Sequence, residues 1–370
     1  MADGLPSTPE PDSTPDPTPA EPGGVTAEAP PSKTRGRIIL VLKFGLAIGL
    51  FWWLAKSGKL PLEKLAEIGD RWPWLLAAQI PFGIVMLLAA IRWKILLRAQ
   101  EIELPLRDSY SLSMIGLFFN QLVPGSTGGD VYKAYAVARA HPGRKSGGVV
   151  SVFVDRALGL IMLLLLVAVG MLANWRWVSS DPDLSSFATG IAILLAGLAV
   201  GGTLFFSTRA RKLLPLATIG RKLPLKEILA KVDQAVFIYR FHLRRVFTAA
   251  TLTAILHSLV VTTNIVLAMA LWSEPFEWWH FFYLIPMAHL AMAIPLNPPG
   301  AIGTAEAMYA YLLALVGIEE GALLCILQRL TYYSWSLVGA GFYVMRRKSP
   351  SDETPRARTN EAASADGVMP

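Results

Sequence analysis

Residues 120–130 read Asn-Gln-Leu-Val-Pro-Gly-Ser-Thr-Gly-Gly-Asp, and about 175 residues later 297–306 read Asn-Pro-Pro-Gly-Ala-Ile-Gly-Thr-Ala-Glu. Set side by side, the two stretches share an order. Asn120, Pro124, Gly125, Gly128 and Asp130 precede Arg156 in the next apolar run. Asn297, Pro299, Gly300, Gly303 and Glu306 precede Arg329 in the next apolar run. The surroundings of both are apolar enough for lipid, where helix-breaking turns and ionisable side chains are each costly. A combination so expensive, present twice, marks a functional or architectural demand.

The rest of the composition agrees with a lipid setting. Mean hydropathy is +0.45, with 53% hydrophobic and only 16% charged residues, outside the ordinary soluble range. Apolar runs near 38–55, 73–97, 149–173, 187–207, 246–272 and 322–345 are each about 20 residues, enough to cross a bilayer core. They predict an all-α, polytopic membrane helix bundle. The first 32 residues hold nine prolines, six acidic residues and no Lys or Arg, which predicts a disordered tail. That segment lacks the basic start and apolar core of a secretory signal. Residues 349–370 read as a disordered polar tail, leaving 33–348 as the transmembrane domain.

Several chemistries are excluded early. Cys325 is the sole cysteine, so neither a disulfide framework nor a thiolate metal site is available. The five histidines show no ligand spacing. His257 and His289, inside apolar runs, read as helix-packing histidines rather than a proton relay. No nucleophile elbow or paired catalytic carboxylate is present, and no catalytic residue, metal or cofactor is assigned.

Charge gives the orientation. Segment 209–245 carries ten Lys/Arg against Glu227 and Asp233, 139–148 adds Arg139, Arg144 and Lys145, and Arg346, Arg347 and Lys348 follow the last run. Segment 273–280 has Glu274 and Glu277 and no Lys or Arg. The positive-inside rule then puts 33–37, 92–107, 139–148, 209–245 and 346–370 in the cytoplasm, with both termini inside and the protein in the cytoplasmic (inner) membrane. Leu225, Ile228, Leu229, Val232, Val236, Tyr239 and Leu243 form an apolar stripe over 224–247, an amphipathic helix suited to the anionic inner leaflet. Nucleic-acid binding is not needed to explain the basic charge. Trp52, Trp53, Trp72, Trp74, Trp175, Trp177, Trp278 and Trp279 fall at run ends as an interfacial belt requires.

Parity then fixes the turns. Residues 108–140 begin and end inside, and 279–318 begin and end outside, so each is a hairpin. Their limbs, 108–122, 128–140, 281–296 and 303–317, are 13 to 16 residues long, which suits re-entrant helices better than full spans. Six spanning helices and two re-entrant hairpins result, in halves of about 33–175 and 185–348 with opposite direction. This inverted repeat is the arrangement of alternating access around a midplane site.

At the tips, a glycine-rich turn entering a helix presents backbone N–H groups and the positive end of the dipole, a setting for anions such as phosphate. The same glycines also serve a tight turn. Arg156 and Arg329 have two readings. They pair with Asp130 and Glu306 as structural ion pairs, or they grip a lipid phosphate. Asp155 competes as a partner for Arg156, although adjacent helix residues point in different directions. Lys133 and Arg139 read as snorkelling cations near the cytoplasmic mouth.

The stretches Phe118–Arg139, Val154–Leu160 and Leu296–Ala307 resemble the lysylphosphatidylglycerol synthase transmembrane region, or flippase-like domain family, over roughly 36–346. Asn120, Pro124, Gly125, Gly128, Asp155, Arg156, Pro299, Gly300, Gly303 and Glu306 match its motifs in kind. Gly-Gly-Asp stands in place of the family's Gly-Glu, Asp155 in place of Glu, and Gly159 where a second acid is common. About 22 residues follow the last run, so no aminoacyl-transferase domain is expected and synthase activity is not carried over. The resemblance implies translocation of an anionic phospholipid or a polyprenyl-linked lipid. The substrate-binding residues would be Asn120, Pro124, Gly125, Gly128, Asp130, Arg156, Asn297, Gly300, Gly303, Glu306 and Arg329. The alternatives are an accessory or lipid-modifying membrane subunit acting on headgroups, and a non-transporting scaffold.

Overall fold

The computed structural model describes residues 69–122, 127–206, 237–273, 275–293 and 301–348, all of them in the unit spanning residues 40–370. Among the described residues the regular elements are all helices. The longer ones are α1 (Trp72–Ala77), α2 (Gln79–Ala99), α3 (Leu106–Leu122), α4 (Gly128–Ala140), α5 (Lys145–Ala173), α6 (Trp175–Ser180), α7 (Pro182–Phe206), α8 (Leu243–Leu271), α9 (Phe281–Met292), α10 (Thr304–Ala314) and α11 (Gly321–Lys348). The run at 38–55, most of the amphipathic stripe at 224–247 and both tails lie outside the described residues.

Helix ends follow local chemistry. Asp181 caps α7, its Oδ1 accepting the N–H groups of Asp183 and Leu184 at 2.9 and 3.1 Å, with Pro182 at the first helical position. Asn174 closes α5 by donating its side-chain N–H to the Gly170 carbonyl at 2.9 Å. Pro286 stands inside α9, where its ring removes one ladder donor.

Four stretches among the described residues are long and apolar enough to cross a membrane: Gly69–Ala99, Pro142–Ala173, Pro182–Thr203 and Tyr239–Leu271. They correspond to four of the six expected runs. Helix α11, built by the sixth run, has spanning length at about 42 Å from the 1.5 Å rise per residue. It is not among the four, because Gln328, Arg329 and the stretch Thr331–Ser336 dilute its apolar surface.

The packing has a repeated pattern. Helix α2 lies along α8. The pair α3–α4 packs together and α4 packs on α5, just as α9–α10 pack together and α10 packs on α11. The contacts then cross over, with α3 against α11 and α9 against α5. In lipid such contacts rest on close fit and polar contacts rather than on exclusion of water. One buried cluster joins α5, α8, α9, α10 and α11 through Val167, Leu267, Phe281, Leu312 and Leu323. A second joins α2, α3, α4 and α5 through Trp93, Leu112, Val137 and Val152.

Candidate functional site

The first helix pair closes through Asn120 and Gly129. The Asn120 side-chain oxygen accepts the Gly129 N–H at 2.8 Å, so α3 caps the start of α4. At Gly129 the two helices touch backbone to backbone, and a Cβ there would sit 2.1 Å from the Gly116 carbonyl oxygen. Gly128 is the first residue of α4, and Asp130 in the same turn accepts a hydrogen bond from Arg156 Nε of α5. This ion pair lies toward the surface, with 48% of the Arg156 side chain exposed. Pro124 and Gly125 lie outside the described residues.

The second helix pair reaches a similar end by a different route. Gly303 adopts φ +84°, a left-handed conformation that suits glycine, and its N–H donates to Glu306 Oε2 at 2.7 Å. The other carboxylate oxygen, Glu306 Oε1, accepts from Arg329 Nε at 2.9 Å and lies 2.6 Å from Nη2. Here the pair is buried, with 14% of the Arg329 side chain and 3% of the Glu306 side chain exposed. Asn297, Pro299 and Gly300 lie outside the described residues. Both expected ion pairs are therefore formed. The Gly129 and Gly303 amides, expected to face an anion, are already taken by Asn120 and Glu306.

Asp155 does not serve Arg156. It accepts two hydrogen bonds from Arg92 of α2, at 2.8 and 2.9 Å, and Arg92 Nη1 also donates to Thr253 of α8 at 3.1 Å. Both side chains of this pair are 11% exposed. The charge pattern placed Arg92 at the start of a cytoplasmic segment, but α2 continues to Ala99 and holds it inside the bundle. Lys133, expected to snorkel, instead places its ammonium over the Trp93 ring at 4.8 Å. The Trp93 N–H in turn donates to Ser151 at 3.3 Å.

The same places in the second copy hold neutral groups. Three residues after the acid comes Lys133 in the first copy and Tyr309 in the second. Immediately before the arginine comes Asp155 in the first and Gln328 in the second. The Tyr309 hydroxyl donates to Gln328 and lies 3.2 Å from the Asn264 side-chain oxygen on α8 and 3.1 Å from His289 Nε2 on α9. Gln328 also places its amide nitrogen 3.2 Å from His289 Nε2. Tyr309, Gln328 and Asn264 are all buried.

Between the two copies lies a cavity of about 260 Å³, with Asn120, Gln121, Arg156, His289, Gln328 and Arg329 on its wall. One arginine from each copy thus reaches the same space, among neutral amides and one imidazole. Planar guanidinium groups with carboxamide donors fit a phosphate. Among the described residues no cluster of three or more His, Cys, Asp or Glu is placed to hold a metal. Of the expected site residues, Asn120, Arg156 and Arg329 line the cavity, Asp130 and Glu306 hold the arginines, and Gly128 and Gly303 sit at helix starts. Sequence reasoning missed Arg92, Tyr309, Gln328 and Asn264. The one signal for Arg92, a cation inside an apolar run, was masked by the basic stretch that follows it, and Asp155 had been set beside Arg156 instead.

The family model described as the lysylphosphatidylglycerol synthase TM region matches residues 40–341. A UPF0104 membrane protein of Pyrococcus horikoshii is 23% identical over 333 residues, covering 84% of this chain and 97% of its own length. A UPF0104 membrane protein of Methanothermobacter thermautotrophicus is 25% identical over 171 residues, covering 44% of this chain and 49% of its own. No solved structure matches the chain.

Proposed function

The chain belongs to the family of the lysylphosphatidylglycerol synthase transmembrane region and is a multi-pass membrane protein, and from that premise we propose that it translocates an anionic phospholipid or polyprenyl-linked lipid. The headgroup phosphate passes through the cavity between the two copies. The observation that carries this reading is that Arg156 and Arg329, from corresponding places in the two copies, line one cavity. Their carboxylate partners hold the guanidinium planes in place and offset the cost of two cations in the membrane.

The accompanying architecture is six spans and two re-entrant hairpins in an inverted repeat, in the cytoplasmic membrane with both termini inside. The crossed packing supports it, because α3 against α11 and α9 against α5 are the same contact made twice with the copies exchanged. Such exchange is what a two-fold relation between halves produces, and rocking one half against the other would open the cavity to each side in turn. The protein on this reading performs no bond chemistry.

The test is reconstitution into phosphatidylcholine vesicles containing a trace of head-labelled phosphatidylglycerol, phosphatidic acid or polyprenyl phosphate, with bleaching of the outer leaflet by dithionite. At least one anionic lipid should cross faster than in protein-free vesicles, and Arg156→Ala and Arg329→Ala should each remove most of the gain. No acceleration for any of the three, or full activity in both variants, sinks the proposal.

A further inference from the structure

The two copies differ in the charge gathered around the arginine that each brings to the cavity. In the first, Arg92, Lys133 and Arg156 stand against Asp130 and Asp155, which leaves one positive charge. In the second, Arg329 stands against Glu306 and the remaining groups are the neutral network of Tyr309, Gln328, Asn264 and His289, which leaves none. One member of that network can change charge without chemistry elsewhere. Protonating His289 gives the second copy the same single positive charge as the first.

The network can satisfy both forms of the ring. With Nε2 unprotonated, the Gln328 amide N–H donates to it, and the Tyr309 hydroxyl donates to Gln328 Oε1. A half-turn of the Gln328 amide presents its oxygen to an Nε2–H instead, and Tyr309 then donates to Asn264 while accepting from the amide nitrogen. No donor is left facing a donor in either state, which a helix-packing role would not require. His289 also lines the cavity, so a ligand there meets the ring directly.

The surroundings decide when the proton is held. The groups around His289 are Arg156 from α5, His257 and Asn264 from α8, Glu306 and Tyr309 from α10, and Cys325, Gln328, Arg329 and Tyr332 from α11. The Glu277–His280 pair sits at the opposite end of α9. Both arginines oppose a third cation, and each is already balanced by its carboxylate. An anionic phosphate beside the ring supplies the missing counter-charge. By linkage, proton and phosphate then bind more tightly together than either binds alone.

We infer that His289 takes up one proton together with the anionic headgroup, so that the cavity loads lipid and proton as a pair. This rests on the transport reading above. A monoanionic lipid carried with one proton crosses without net charge, and the transmembrane potential does no work on the loaded form.

The test is calorimetry on the purified protein in detergent, with dihexanoyl-phosphatidylglycerol as probe, in buffers of different ionisation enthalpy. About one proton should be taken up per lipid bound, and affinity should fall about tenfold per pH unit once free His289 is unprotonated. His289→Gln keeps a hydrogen-bonding side chain and should bind with no proton uptake and a flat pH profile. His289→Asn, checked for monodispersity by gel filtration, should do the same. Binding of the wild type without proton uptake overturns the inference and leaves the transport reading standing, as does unchanged uptake in both variants. If neither phosphatidylglycerol nor dihexanoyl-phosphatidic acid binds at any pH, both fall.

Discussion

The first helix pair keeps its ion pair half in the open and surrounds it with more charge; the second buries its ion pair and surrounds it with neutral hydrogen bonds. The two began as the same pattern of turn, acid and trailing arginine. What the two share is the acid–arginine pair, and what differs is the layer of side chains around it. In the first copy that layer is Arg92 with Asp155, which ties α2 to α5 and reaches α8 through Thr253. In the second it is a hydrogen-bonded set of amides, a phenol and an imidazole beside the cavity.

Breaking the buried pair is the harshest test of this contrast. Glu306→Ala leaves Arg329 without its carboxylate and strips the cap from Gly303, and should cost about 3–5 kcal/mol in thermal unfolding of the detergent-solubilised protein. A loss under 1 kcal/mol would show that the burial matters little. Arg92→Met should cost about 3 kcal/mol, because Asp155 is then buried and uncompensated. The double variant Arg92→Met with Asp155→Leu should recover most of that loss, and a purely additive double-mutant cycle would argue against the pair.

The smaller effects probe the first copy. Gly129→Ala drives a methyl group into the Gly116 carbonyl and should cost about 1–3 kcal/mol, with loosened α3–α4 packing read by hydrogen exchange at residues 128–132. Asp130→Ala should be the mildest, at about 0–1 kcal/mol, since Arg156 is half exposed. If Asp130→Ala destabilises as much as Glu306→Ala, the contrast between the copies does not hold. Cys325, on the cavity wall and the sole cysteine, offers a spectator: its alkylation by N-ethylmaleimide should slow when the transported lipid is present.

How much was legible differs by residue type. Asp130–Arg156 and Glu306–Arg329 could be paired from sequence because ions in an apolar run are costly and the repeat placed each acid before its arginine. Arg92–Asp155 was hidden, because its partners are 63 positions apart and Arg92 blended into a basic stretch that charge counting assigns to water. Tyr309, Gln328 and Asn264 gave no signal at all. A lone tyrosine or amide in an apolar helix carries too small a penalty to demand a partner, so the pattern left His289 as a helix-packing histidine and gave no sign of the network around it. The tips at Pro124 and Gly300, central to the sequence argument, fall outside the described residues.

The sequence by itself determined the membrane setting, the twice-occurring pattern of turn, acid and arginine and the demand of those charges for partners, because hydrophobic run length, helix-breaking turns and buried charge are local and expensive. Tertiary structure alone decided that the copies cross over, that their arginines share one cavity, and that a neutral network and not a charge backs the second. Those outcomes depend on which helix faces which, and close fit between helices in lipid is set by shape and contact rather than by any period along the chain.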